Sequence, residues 1–163
     1  MSIRLALAAG LVAACALPTS SNAQVITHRD VGVRMGLAIA EAALTECEKT
    51  GNSVSVAVVD RAGRLRVFLQ ADKANPHNIE LARRKAYTAR TFSRSSADWA
   101  KRTAEIPEIA AQRQLSDVIA LRGGVPIKVG EETIGAVGVS GSSSEGDEKC
   151  ALAGIAKVAD QLR

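Results

Sequence analysis

The chain has 163 residues, enough for one domain of ordinary size, and its formal net charge of +4 is mild. It contains one tryptophan, one tyrosine and two phenylalanines, too few to form a stacking surface for nucleic-acid bases. The 21 lysines and arginines are scattered along the chain rather than gathered into a basic stripe. These features exclude nucleic acid as the expected partner.

The first 23 residues have the order of parts of a secretory signal peptide. A basic residue precedes an apolar run at 5–17, which is too short to span a bilayer, and Pro18 ends this run. Small residues before Gln24 then supply a cleavage site. The pattern predicts that residues 1–23 are removed, that residues 24–163 form a single domain, and that the protein is periplasmic or secreted.

A second processing signal overlaps the first one. The sequence Val12-Ala13-Ala14-Cys15 resembles a lipoprotein site, whose cysteine would carry the lipid after cleavage. Ordinary secretion and lipidation at Cys15 remain alternatives at this point.

The first predicted unit is a helix followed by a hairpin. Asp30 is a suitable cap for a helix that extends to Lys49. A β-branched run at 54–59 and a second strand at 65–69 flank the sequence Asp60-Arg61-Ala62-Gly63, which is typical of a tight turn. We therefore expect two antiparallel strands after the helix.

A second helix is predicted to begin in Asn75-Pro76-His77-Asn78 and to end near Phe92. The asparagine is a capping residue, and the proline lacks only an N–H that the first helical position does not use. The apolar stripe of this helix is narrow and made mostly of small side chains: Ile79, Ala82, Ala86 and Ala89. A stripe of this kind lets a helix lie close to a sheet.

The rest of the chain predicts more helices and strands. Residues 96–114 indicate short helices broken at Pro107, 116–121 a short strand, 123–140 a second hairpin, and 147–162 a last helix. Hairpins near both ends favour an α+β fold in which helices cover a mainly antiparallel sheet.

Cys47 and Cys150 are the two cysteines that follow the predicted cleavage site. In an oxidising compartment they can form a disulfide. Free cysteines are also common as small buried side chains. A disulfide and two buried thiols are the alternatives that the sequence leaves open.

Signatures of several common enzyme classes are missing. The chain has no Gly-x-Ser-x-Gly, His-Glu-x-x-His or Cys-x-x-Cys sequence, so serine hydrolase, zinc protease and dithiol redox chemistry lack their usual residues. No catalytic residue is predicted.

Three polar residues stand out as candidate ligands. His77 falls at the start of the second helix, where the helix dipole disfavours imidazolium and leaves a nitrogen lone pair free for a metal. It is the candidate metal ligand, although a lone loop histidine can also be plain surface. His28, near the predicted mature start, is a second candidate. We expect the ammonium of Lys85 to emerge beside a partly apolar face, to pair with an anionic ligand or to reach water.

Several segments resemble one known family. They are 56–65, 82–89, and the pair 123–127 and 134–141, in this order along the chain. Their sequences are similar to those of the GlcG/HbpS family, also described as haem-degrading or PduO C-terminal-like. The similarity extends over nearly all of residues 24–163.

The resemblance implies a profilin-like fold with a five-stranded antiparallel sheet flanked by helices. It also implies non-covalent binding of haem, homo-oligomers from dimers to octamers, and, in exported members, haem or iron handling and redox sensing beside a membrane sensor or receptor. If the chain binds haem as this resemblance implies, the candidate haem-binding residues are His77, Lys85, Tyr87 and His28, with His77 as the iron ligand. The alternatives are a structural or sensory interaction module and an enzyme of slow peroxidative haem breakdown.

Overall fold

The two predicted hairpins form the sheet of a computed structural model that describes residues 24–163. The predicted signal peptide and the alternative lipidation site at Cys15 lie outside the described residues. The helices are α1 Val33–Glu48, α2 Asn78–Phe92, α3 Ser96–Glu105 and α4 Ser144–Ala156, with 3-10 turns at Pro107–Gln114 and Ala159–Gln161. The strands are β1 Ser55–Val59, β2 Leu65–Gln70, β3 Gly124–Val129 and β4 Glu132–Ser140.

The four strands lie in the order β2-β1-β4-β3, and all neighbouring pairs are antiparallel. The first turn is held by the Asp60 carboxylate, which accepts hydrogen bonds from the backbone N–H groups of Ala62 and Arg64 at 2.8 and 2.9 Å. Gly63 in this turn has a φ of +76°, a value that glycine adopts without steric cost. The α+β class and the antiparallel sheet are confirmed.

Helices cover both faces of the sheet. On one face, α1 and α4 pack on alternate residues of the central strands, among them Val56, Val58, Val137 and Val139. On the other face, Val59 and Ala136 contact Ala86 and Ala89 of α2. Every residue of β1 is buried for this reason. In the part of the chain that the structure describes, no helix has the length and hydrophobicity of a membrane span.

Helix α2 lies unusually close to the sheet. Gly124 and Gly138 are cross-strand partners beneath it. A Cβ at Gly138 would lie 2.2 Å from the carbonyl oxygen of Ala82, and one at Gly124 would lie 2.1 Å from that of Lys85. Because real Cβ atoms do not approach an oxygen so closely, only glycine at both positions permits this packing.

The prediction of five strands is wrong, because the described residues form four. The segment 116–121, predicted as a strand, bonds to side chains of α2 instead of to a neighbouring strand. The N–H of Ile119 donates to the Thr88 hydroxyl at 2.8 Å, and Arg84 donates to the Val118 carbonyl at 2.6 Å. Asp117 has a φ of +66°, which turns the chain out of the extended conformation.

Other local predictions also differ from the structure: α4 begins at Ser144 and ends at Ala156, and no side chain caps α2. Asp30 does not cap α1, since its Oδ1 accepts from the N–H groups of Val31 and Arg61, each at 2.8 Å, and the residue preceding the helix is Gly32. Ile79 is 46% exposed rather than part of the buried stripe of α2. It lies in the first turn of this helix.

Of the two alternatives for the cysteines, the structure contains the disulfide. Cys47 of α1 and Cys150 of α4 are bonded across 103 residues of chain, and both are buried. The bond ties together the two helices that cover one face of the sheet.

Substituting Gly138 with alanine tests the close packing of α2. The added Cβ meets the backbone of this helix, which cannot move as a flexible side chain does, so we expect a loss of about 1–3 kcal/mol or more in the free energy of unfolding. Urea denaturation measures this loss. Gly32→Ala is the control, because nothing lies within 4 Å of the added atom; equal losses in the two variants would contradict the packing argument.

Replacing both Cys47 and Cys150 with alanine tests the disulfide. The cross-link closes a loop of 103 residues, and losing a native disulfide from a small domain costs about 2–5 kcal/mol. Urea denaturation of the double variant should therefore show lower stability, and adding a reductant should destabilise only the unsubstituted chain. Alkylation of both cysteines in denatured but unreduced protein would contradict the bond.

Candidate functional site

An apolar cleft of about 390 Å³ lies between β2 and the start of α2. We call it the apolar cleft. Its walls combine four apolar side chains with one imidazole, one guanidinium and one carboxylate: Leu65, Phe68, Pro76, Ile79, His77, Arg83 and Glu80. Leu65 and Ile79 remain 48% and 46% exposed. Exposed apolar side chains gathered at one place are typical of a binding surface.

The cleft exists because α2 packs on β1, β3 and β4 and leaves the outer face of the edge strand β2 open. A register shift between Val58 and Val59 sets Leu65 opposite Val59. Val59 faces α2, so the shift puts Leu65 on the same face as Phe68, the partner of Ala57. The two side chains form the floor beside which α2 begins.

His77 immediately precedes α2 and is exposed. Its backbone carbonyl accepts from the Leu81 N–H at 3.1 Å, whereas its side chain makes no capping hydrogen bond. The residue lines the apolar cleft and also a second cleft on the other side of the helix start. His77 therefore lies where the two clefts meet.

The second cleft, of about 230 Å³, is the polar cleft. Its lining comprises the start of α2, the end of β4 and the start of α4: Asn75, His77, Asn78, Leu81, Lys85, Leu121, Ser140, Gly141, Ser142, Ser144 and Asp147. At its base Lys85 donates to Asp147 Oδ2 at 2.7 Å and to the Val139 carbonyl at 2.9 Å. Lys85 is 3% exposed and Asp147 is 2% exposed.

This position of Lys85 differs from the expected one at the edge of an apolar face. Its ammonium is directed inward, because Asp147 and a strand-end carbonyl satisfy two of its three N–H groups. Burial raises the pKa of the Asp147 carboxyl above its usual value, although the hydrogen bond and charge of Lys85 and the N–H of Ser142 act to lower it. Each carboxylate oxygen has a donor, since Oδ1 accepts from Ser142 N at 2.9 Å.

The other two candidates lie elsewhere. Tyr87 lines a separate cleft with Arg61 and Arg90. His28 is exposed and lies in a surface cleft that also includes Arg61 and Glu132. The structure thus brings His77 and Lys85 to one cleft and leaves Tyr87 and His28 apart from it. Among residues 24–163, no group of three or more His, Cys, Asp or Glu side chains is arranged to hold a metal ion.

Sequence reasoning missed the apolar floor and the partner of the buried lysine. The position of Leu65 depends on a register shift that no sequence pattern marks. Asp147 had a usable signal, because Lys85 shares its buried helix face with Ala82, Ala86 and Ala89. A buried ammonium requires an opposite charge. Asp147 is a buried acid in the first turn of α4, the helix that follows the last strand.

Comparisons with known proteins agree with this architecture. A family model described as "Haem degrading protein HbpS-like" matches residues 34–156. Protein GlcG of Escherichia coli strain K12 is 33% identical over 107 residues, which are 66% of this chain and 78% of GlcG.

Solved structures give the same result. A crystal structure of a double mutant of HbpS from Streptomyces reticuli has a TM-score of 0.75 and 34% identity, over 91% of this chain and 97% of that one. A crystal structure of a PduOC–haem complex has a TM-score of 0.70 over 78% and 94% of the two chains, and its 24% identity supports a shared fold. With its described helices and sheet superposing on these structures and its residues 34–156 matching the family model, the chain belongs to the HbpS-like family.

Proposed function

We propose that this protein binds haem non-covalently at the apolar cleft, with His77 as the iron ligand. The observation that carries the proposal is that His77 lines the same cleft as the exposed Leu65 and Ile79 and the half-buried Phe68. The family description as haem-degrading supports the choice of ligand.

The residues of the cleft fit such a group. A porphyrin needs apolar surface for its ring, which the leucine, the isoleucine, the proline and the phenylalanine offer. Its propionates need a cation, and Arg83 lies at the rim. One nitrogen of its guanidinium donates to Asp117 at 2.6 Å, and the remaining N–H groups stay available because arginine has five. When bound, haem supplies a redox-active iron.

The described residues would act by holding and orienting the ligand. Leu65 and Phe68 exclude water from one side of the ring, and Pro76 fixes the backbone immediately before His77. Because the cleft is open to solvent on the opposite side, a second copy of the chain would cover what one protomer leaves exposed. We include in the proposal a homo-oligomer, from a dimer to an octamer, and contact with a membrane sensor or receptor.

Export belongs to the same proposal. The Cys47–Cys150 disulfide supports it, since such bonds persist in oxidising compartments and are rare in the cytosol. The predicted signal at residues 1–23 points the same way. The protein would then meet haem in the periplasm or outside the cell.

Haemin titration tests the binding site. We expect purified protein to shift and sharpen the Soret band, and His77→Ala to weaken haemin binding by about tenfold or more because the iron loses its ligand. His28→Ala is the comparison variant, since His28 lies in a different cleft. No spectral change with the unsubstituted chain, or a loss confined to His28→Ala, would contradict the proposal.

The family description favours a second candidate function, peroxidative breakdown of haem. In that case peroxide should bleach the Soret band and release iron faster from the protein–haemin mixture than from haemin alone. An iron chelator that absorbs visible light measures the release. Equal rates in the two samples would exclude this activity and leave binding as the function.

A further inference from the structure

A third cleft, of about 200 Å³, lies between the second half of α2 and the turn that joins β1 to β2. We call it the arginine cleft. Its walls are two arginines, a tyrosine, a threonine and two small residues of the turn: Arg61, Arg90, Tyr87, Thr91, Ala62 and Gly63. None of these lining residues is acidic. Haem binding at the apolar cleft uses none of them.

Two contacts hold the walls of this cleft in place. Arg90 donates from Nε to the Arg61 carbonyl oxygen at 2.5 Å, which bonds α2 to the turn. The ring of Tyr87 packs against Gly63, where a Cβ would lie 2.9 Å from its Cε2 and 3.1 Å from its Cδ2. Tyr87, Arg90 and Thr91 share one face of the helix, because residues three and four apart are neighbours there. Contacts within the protein therefore set the positions of these groups.

The arginine cleft carries more positive than negative charge. Beside it, three carboxylates and three guanidiniums form ion pairs with one another: Asp30 and Asp60 with Arg66, and Glu132 with Arg61 and Arg29. These six charges balance. Arg90 pairs with no carboxylate among residues 24–163, so it adds a positive charge that no acid compensates. The exposed Arg64 of the same turn adds another.

The pKa of Arg90 agrees with this excess of positive charge. Burial lowers the pKa of its guanidinium, and the nearby charge of Arg61 lowers it further, whereas Asp30 and Asp60 act to raise it. Because the net effect is a lowering, the two carboxylates do not compensate the burial of this charge. A bound anion would supply the missing negative charge.

We propose that the arginine cleft binds a phosphate group. Of the five N–H groups of an arginine, Arg90 uses one in its bond to the turn, and those on its two terminal nitrogens match two phosphate oxygens. The hydroxyls of Tyr87 and Thr91 donate to a third oxygen, which a planar carboxylate lacks.

The size of the cleft agrees with a ligand of this class. Its volume of about 200 Å³ equals that of roughly seven water molecules at ~30 Å³ each. Inorganic phosphate or a small phosphate ester fits this space, and a porphyrin does not. The site shares no lining residue with the apolar cleft, so it does not depend on haem binding.

Two-dimensional ¹H–¹⁵N NMR of the labelled protein tests the site at a fixed ionic strength, since added salt alone screens the arginines. The probes are inorganic phosphate and glycerol 3-phosphate, with acetate as the planar anion. We expect both phosphates to shift the Nε–H signal of Arg90 and the backbone signals of Gly63 and Thr91 until they saturate. Acetate should bind about tenfold more weakly. Tighter binding of glycerol 3-phosphate than of phosphate would identify an ester as the preferred ligand, and the reverse would identify the free anion.

Arg90→Gln removes the charge but keeps an amide N–H for the Arg61 carbonyl, and it should weaken phosphate binding by about tenfold or more. Arg34→Gln is the control, because it removes the same charge from an exposed position on α1, which covers the opposite face of the sheet. Tyr87→Phe keeps the ring against Gly63 and loses only the hydroxyl, so it should weaken binding by about threefold or more. This variant tests the site even if Arg90→Gln does not fold.

Three results would overturn the proposal: equal binding of acetate and phosphate, equal affinities of Arg90→Gln and Arg34→Gln for phosphate, or unchanged binding in Tyr87→Phe. A haemin titration of the same variants reports separately on the apolar cleft. Failure of the phosphate site and failure of the haem site are therefore distinguishable.

Discussion

The contact between the backbone of α2 and the glycine pair of β3 and β4 determines the rest of this structure. Gly124 and Gly138 are opposite each other in the sheet, and neither has room for a Cβ. At these two positions the helix backbone packs directly on the strand backbone, so a larger residue at either position would displace the helix. The apolar and polar clefts both lie at the start of α2, the part of the helix that this contact positions.

The same contact explains why one cleft is apolar and the other polar. A helix placed over β1, β3 and β4 leaves the outer face of the edge strand open, and Leu65 and Phe68 become the floor of the apolar cleft. On the opposite side, the close approach brings Lys85 to the end of β4, where Asp147 from α4 meets it. His77 lines both clefts, because they meet at the start of α2.

Much of the fold was predictable from the sequence, and the predictions that were wrong failed for specific physical reasons. The hairpins and the start of α2 follow from β-branched runs, turn glycines and a proline, which act locally. The segment 116–121 has the composition of a strand, but Thr88 and Arg84 of α2 take its hydrogen bonds. Lys85 follows Arg83 and Arg84 in the sequence, which favours a surface position, although its helix face is made of alanines; its partner Asp147 lies 62 residues away. Contacts between distant segments decided each of these outcomes.

The central claim is that haem lies in the apolar cleft beside His77. Ferric haemin is paramagnetic and broadens the NMR signals of nearby nuclei, so a ¹H–¹⁵N spectrum recorded with substoichiometric haemin maps its position directly. If haem lies in the apolar cleft, the backbone signals of Leu65, Phe68 and Ile79 broaden first. Broadening centred on His28 and Arg29, with the signals of the apolar cleft unchanged, would contradict it.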